Sequence, residues 1–94
     1  VKRVFGERAA EVQLSSIKSM IGHSIGASGA IEAAALALSL HTQVYPPTIN
    51  LTNPDPACDL DYIPNTAREA KVRYGLSTSF GFGGQNGALV MAAV

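Results

Sequence analysis

The chain has 94 residues, 47% of them apolar, and its seven basic and seven acidic side chains leave no formal net charge. That balance gives no electrostatic footprint for nucleic acid or an anionic membrane, and the length suffices for one globular domain. The single cysteine, Cys58, has no internal disulfide partner, which points to a reducing compartment. Residues 1–11 are mixed in charge and read as the tail of a helix followed by a turn. With no initiator Met and no targeting pattern, Val1-Lys2-Arg3-Val4-Phe5-Gly6 reads as mid-protein sequence.

Val12 to Ile17 alternates apolar and polar residues and predicts a short strand. Lys18 and His23 follow, five residues apart, in the turn after it. From His23 onward the residues are small or apolar, with Glu32 the only charge before His41. This predicts a buried helix with His23 at its first turn. Gly22, Gly26, Gly29, Ala30, Ala33 and Ala37 recur every three or four residues, a row suited to close packing. Ile21 to Leu40 has the length of a membrane span, but His23, several serines and Glu32 argue against one. A helix apolar all round needs cover on all sides, and the rest of the chain offers one modest sheet. A large part of the covering layer is therefore expected outside this sequence.

His41 to Pro64 carries all five prolines and reads as a wrapping loop with brief strands near Thr48–Leu51 and Leu60–Ile63. Ala67 to Arg73 is a polar turn. Tyr74–Phe80 and Asn86–Val94 read as two strands joined by Gly81-Phe82-Gly83-Gly84-Gln85, the second apolar enough for burial on both faces. The expected class is α/β.

Three positions could carry chemistry. A helix start offers free N–H groups and a positive dipole end, which favours a neutral His23 donating a hydrogen bond to an anionic oxygen. Lys18, between Ile17 and Met20 and leading into the helix, is expected to point into a polar pocket. Phe82, between two glycines, is either a core-facing hairpin tip or a mobile gate. Cys58 lies among Asp55 and Asp59, whose charges disfavour a thiolate, so it is not read as a nucleophile. Gly22 to Gly29 spells neither a dinucleotide fingerprint nor a P-loop, and Asp59 and Asp61 lack further clustered metal ligands. No cofactor and no metal are expected.

Lys18-Ser19-Met20-Ile21-Gly22-His23 resembles the K-S-x-x-G-H element of β-ketoacyl-acyl-carrier-protein synthases. Ser79-Phe80-Gly81-Phe82-Gly83-Gly84-Gln85-Asn86 resembles their S-F-G-F-G-G-x-N loop. Tyr45 to Asn50 and Asp59 to Tyr62 also match in order and spacing, so the resemblance spans essentially the whole chain and is nearest the KAS II type. It implies that residues 1–94 are the C-terminal part of a synthase domain of thiolase-like fold, incomplete without upstream chain. The implied reaction is decarboxylative condensation of an acyl group with malonyl-acyl-carrier-protein in fatty-acid elongation. By resemblance, His23 binds the malonyl thioester carbonyl and Lys18 orients its neighbours. The Phe82 N–H belongs to an oxyanion hole and its ring gates the acyl chain, with Phe80, Gly81 and Gly83 lining the substrate.

The resemblance also implies as partners an acyl carrier protein bearing acyl or malonyl thioester, the remainder of the same chain, and a second copy in a homodimer. The implied location is the bacterial cytoplasm or an organelle matrix. Thr78 stands where asparagine is common. The nucleophilic cysteine and the first active-site histidine of such enzymes match nothing here, so the chain alone is expected to be inactive. A polyketide ketosynthase segment and a non-catalytic structural or interaction module are the alternatives.

Overall fold

Gly22 marks the first change of unit along the chain. The computed structural model describes residues 1–94, which divide into one unit of Val1–Gly22 and Tyr45–Arg68 and another of His23–Val44 and Glu69–Val94. The elements run α1 (Lys2–Phe5), a 3-10 turn (Gly6–Glu11), α2 (Lys18–Ile21), a second 3-10 turn (Ile25–Ala27) and α3 (Ser28–Thr42). Strands β1 (Val44–Tyr45), β2 (Arg68–Glu69), β3 (Tyr74–Phe80) and β4 (Asn86–Ala92) complete the chain. The short strands β1 and β2 pair with each other.

The first unit has a small core, Ala9 and Ile63, the latter only 2% exposed. The strand expected over Val12–Ile17 does not form. A single parallel bridge joins Gln13 to Asp61, and the Leu14 N–H donates to the Asp61 carbonyl at 2.8 Å. The brief strands expected near Thr48–Leu51 and Leu60–Ile63 likewise reduce to one parallel bridge, Thr48 to Pro64. Pro46, Pro47 and Pro64 supply no N–H, so no ladder can run through them. Side chains take over its work. The Ser15 hydroxyl donates to the Pro46 carbonyl at 2.6 Å, and the Ser16 N–H donates to Thr48 Oγ1 at 3.0 Å. Asn65 mimics a strand partner for Leu51, accepting its N–H at 3.2 Å and donating to its carbonyl at 2.7 Å.

The second unit is α3 laid on a hairpin. β3 and β4 pair antiparallel, Tyr74 opposite Ala92 and Phe80 opposite Asn86. The β3 boundaries are those the sequence predicts. A Cβ placed on Gly29 would lie 3.5 Å from Ser79 Oγ, and one on Gly75 would meet Leu36. Helix residues 29 and 36 thus meet strand residues 79 and 75, so α3 runs antiparallel to β3. The helix ends where Gln43 turns left-handed at φ 58°, its N–H donating to the Ser39 carbonyl at 2.8 Å. The Gln43 side chain also caps the Leu40 carbonyl at 2.6 Å and exchanges two bonds with the Val72 backbone.

Leu40 is the one buried large apolar side chain of this unit, while Ile31, Leu38, Leu89 and Val90 are exposed. The expectation that β4 is buried on both faces therefore fails within these residues, because the hairpin has two strands and one covering helix. Each apolar face left open is one the sequence composition could not cover from its own length.

Candidate functional site

The expectation that His23 opens a helix is corrected by the backbone. Gly22 closes α2 with φ 77°, and Ile25 also sits at positive φ, 50°, so no continuous helix of L-residues passes through His23. α3 begins five residues later, at Ser28. His23 instead stands in an exposed, irregular turn between Gly22 and the Ile25–Ala27 turn. A β-branched residue at positive φ is strained, and here the strain sits two residues from the imidazole.

That turn fixes the ring. The Ile25 N–H donates to His23 Nδ1 at 3.1 Å, and Ser28 Oγ lies 2.8 Å from the same nitrogen. A backbone N–H can only donate, so Nδ1 must present its lone pair. The neutral ring then carries its proton on Nε2, and this nitrogen is left as a donor on an exposed residue. The turn, rather than a helix start, thus fixes which ring nitrogen donates.

The hairpin loop lies at the same end of this unit as the start of α3, since Gly29 faces Ser79 and Phe80 is the next residue. The Gly81 N–H donates to the Gln85 carbonyl at 2.7 Å and closes a five-residue loop. Gly83 and Gly84 have φ 83° and 81°, conformations that require glycine. Phe82 is fully exposed, at 106%, so its ring is not the core-facing tip of a hairpin within these residues. Phe80 is exposed as well, and Thr78 offers a hydroxyl on the same strand.

Lys18 belongs to the first unit, half-buried at the start of α2. α2 is a single turn without a side-chain cap, and Ser19 ties it down. The Ser19 hydroxyl donates to the Ser16 carbonyl at 2.9 Å and accepts the Ile49 N–H at 3.0 Å. Cys58 is exposed in the proline-rich loop. Asp59 pairs with Lys2 and Asp61 with Arg68, so each carboxylate already holds a cation. No three His, Cys, Asp or Glu side chains cluster as a metal site. No helix is long and apolar enough to cross a membrane.

Sequence reasoning missed Ser24 and Ser28, the hydroxyls beside His23. They sit one and five residues after the histidine, a spacing that carries no signal until the turn is known.

A histidine held by its own turn and a glycine-rich loop thus belong to one α/β layer. The comparisons give the family. The description "Beta-ketoacyl synthase, C-terminal domain" matches residues 1–52, and the chain belongs to that family, with a thiolase-like α/β fold. The chain is 51% identical over 94 residues to 3-oxoacyl-[acyl-carrier-protein] synthase 2 of Coxiella burnetii, covering 100% of this chain and 23% of that protein. It is 57% identical over 91 residues to the tetracenomycin polyketide synthase ketoacyl synthase alpha subunit of Streptomyces glaucescens, 97% of this chain and 21% of that protein. Among solved structures it is similar to one chain of a structure described as a type II PKS acyl-carrier protein in complex with its ketosynthase bound to the hexaketide. The TM-score is 0.95 at 46% identity, over 99% of this chain and 23% of that one. The ishigamide ketosynthase/chain length factor gives a TM-score of 0.93 at 39% identity, over 100% and 23%. The chain spans about a fifth of the length of these relatives.

Proposed function

We propose that this chain is the C-terminal part of a β-ketoacyl-acyl-carrier-protein synthase that extends an acyl thioester by decarboxylative condensation with a malonyl thioester. The carrying observation is His23, whose Nδ1 is engaged by Ile25 and Ser28 and whose Nε2–H is left to donate. In this reading Nε2–H holds the malonyl thioester oxygen as CO₂ leaves and the electron pair moves onto that oxygen as an enolate. The enolate carbon attacks the acyl carbonyl held on a cysteine supplied by chain outside these residues. The Phe82 N–H stabilises the resulting oxyanion, and its collapse releases the cysteine sulfur and the β-ketoacyl thioester. Lys18 orients the neighbouring polar groups, and Phe80, Gly81 and Gly83 line the acyl path. No cofactor or metal is assigned.

The partners proposed are an acyl carrier protein, the remainder of the same chain, and a second copy in a homodimer, in the cytoplasm or an organelle matrix. The carrier-protein complex of the structural relative supports the first, and the exposed apolar residues of α3 and β4 support the second. A second reading, a polyketide ketosynthase, is favoured by the 57% identity to the tetracenomycin subunit. In both readings residues 1–94 are one piece of the synthase domain, inactive without the cysteine.

The test uses the protein that contains this chain, with malonyl- and acyl-carrier protein as substrates. His23→Ala is expected to lower malonyl decarboxylation by about 10²- to 10³-fold while the cysteine still accepts an acyl group. Unchanged decarboxylation would reduce His23 to a structural residue. Whether the unreduced β-ketoacyl product is itself taken up for further rounds of condensation distinguishes polyketide from fatty-acid use.

A further inference from the structure

Two hydroxyls stand behind His23 in a chain whose direction can be worked out. Ser28 Oγ is 2.8 Å from His23 Nδ1, and Ser24 Oγ is 3.2 Å from Ser28 Oγ. The Ile25 N–H already points at Nδ1, so that nitrogen accepts and Ser28 must spend its one proton on it. Ser28 Oγ then has only lone pairs left for Ser24, which makes Ser24 the donor. The relay runs Ser24 O–H to Ser28 Oγ, then Ser28 O–H to His23 Nδ1.

Burial gives this relay its weight. Ser28 is 8% exposed at the first position of α3, whereas His23 and Ser24 are exposed. A buried hydroxyl without a partner is costly, so Ser28 is held to its histidine bond by its surroundings. Bonds in such a row polarise one another, and the acceptor at its end is fixed in both tautomer and ring plane. Without Ser28 the imidazole keeps a single long bond from Ile25 and can swing about its ring axis.

We propose that Ser28, assisted by Ser24, is a positioning residue that locks the His23 ring in the Nε2–H tautomer and aims that proton at the substrate oxygen. This rests on the role given to His23 above. Ser28 touches no reacting atom and acts only through the ring.

The experiment uses the protein containing this chain, labelled with ¹⁵N-histidine, and four variants: Ser28→Ala, Ser28→Thr, Ser28→Cys and His23→Ala. In Ser28→Ala the His23 Nδ1 signal should move towards that of an unbonded pyridine-type nitrogen. Decarboxylation of malonyl-carrier protein should fall about tenfold, the rate counterpart of one lost hydrogen bond, while acyl transfer to the cysteine is unchanged. Ser28→Thr keeps the hydroxyl and should restore both readouts. Should the alanine variant fail to fold, Ser28→Cys keeps a side chain of similar shape with only a weak donor, and it should shift both readouts in the same direction. An unmoved Nδ1 signal in the alanine or cysteine variant overturns the proposal. So does an equal loss of acyl transfer and decarboxylation that threonine does not restore. If His23→Ala keeps full decarboxylation, the reading of His23 fails, and the nitrogen signal still decides whether Ser28 sets the ring.

Discussion

Leu36 of α3 rests on the bare backbone of Gly75 in β3, and a Cβ at Gly75 would overlap Leu36 Cδ1. The same Cβ would stand 3.2 Å from Leu36 Cγ and 3.5 Å from Cδ2. Rotating the leucine about its outer bond cannot clear all three contacts, because Cγ does not move with that rotation. Either Leu36 must turn about its Cα–Cβ bond and give up its seat on the strand, or the helix must retreat from the hairpin.

Gly75→Ala is therefore expected to destabilise the protein containing this chain by about 1–3 kcal/mol, the usual cost of overpacking. Gly75 has an ordinary negative φ, so the loss is steric and a smaller partner should relieve it. Pairing Gly75→Ala with Leu36→Ala in a double-mutant cycle should give a coupling energy of opposite sign to the single loss. Additive denaturant midpoints would refute the close approach.

The hairpin was legible because its signals are local: two runs of β-forming residues punctuated by three glycines. The start of α3 was not. From Ser24 to Ala37 the residues are small or apolar apart from Glu32, so nothing in their pattern marks the break. It arises at Ile25, which adopts positive φ against its own preference. The proline loop misled in the other direction. Its apolar residues suggested strands, but the backbone of Pro46, Ile49 and Leu51 is met by Ser15, Ser19 and Asn65 side chains reached across long stretches of sequence. His23, Lys18 and Phe82 stood out through their placement at an expected helix start and in a glycine loop, and their roles, taken from the family resemblance, are proposals. Ser28 carried no sequence signal, since its bond to His23 exists only once the turn has formed.

A second prediction concerns acid. Arg68 hydrogen-bonds the Asp61 carboxylate and lowers its pKa, the Ile63 N–H at 3.0 Å adds to this, and burial opposes both. A carboxyl whose folded pKa is depressed stabilises the fold above its unfolded pKa, about 3.9. That contribution is lost as pH falls from there through the lower folded value. Asp61→Asn should cost stability at pH 7 and lose less on acidification to pH 3 than the parent. The Asp59–Lys2 pair is exposed on both sides, so Asp59→Asn should leave the denaturant midpoint within error at either pH. Parallel acid profiles for parent and Asp61→Asn would contradict the assignment.

Ser19→Ala removes two bonds at once and leaves the Ile49 N–H, on a half-buried residue, without its acceptor. The expected loss is about 1–3 kcal/mol. α2 is one uncapped turn, so loosening it should also loosen Lys18. Condensation should therefore fall further than stability alone accounts for at temperatures where the protein stays folded. Full activity at full occupancy of the folded state would separate Ser19 from any role in placing Lys18.

The last prediction concerns Phe82. Its ring touches no core in these 94 residues, being fully exposed at the tip of a loop closed by Gly81 and Gln85. A large aromatic truncated in a core costs about 3–5 kcal/mol. Phe82→Ala should cost far less than that if the ring swings to admit an acyl chain, because a moving ring is not locked by packing. Any loss seen in the whole protein reports contacts with chain outside these residues. The backbone N–H survives the substitution, so part of the oxyanion stabilisation should persist. The kinetic effect should fall on acyl transfer to the cysteine and on chain-length preference. Measuring denaturant stability beside acylation rates for short and long chains decides it. A loss of core size with unaltered chain-length preference would make Phe82 a packing residue against the missing chain and end the gate.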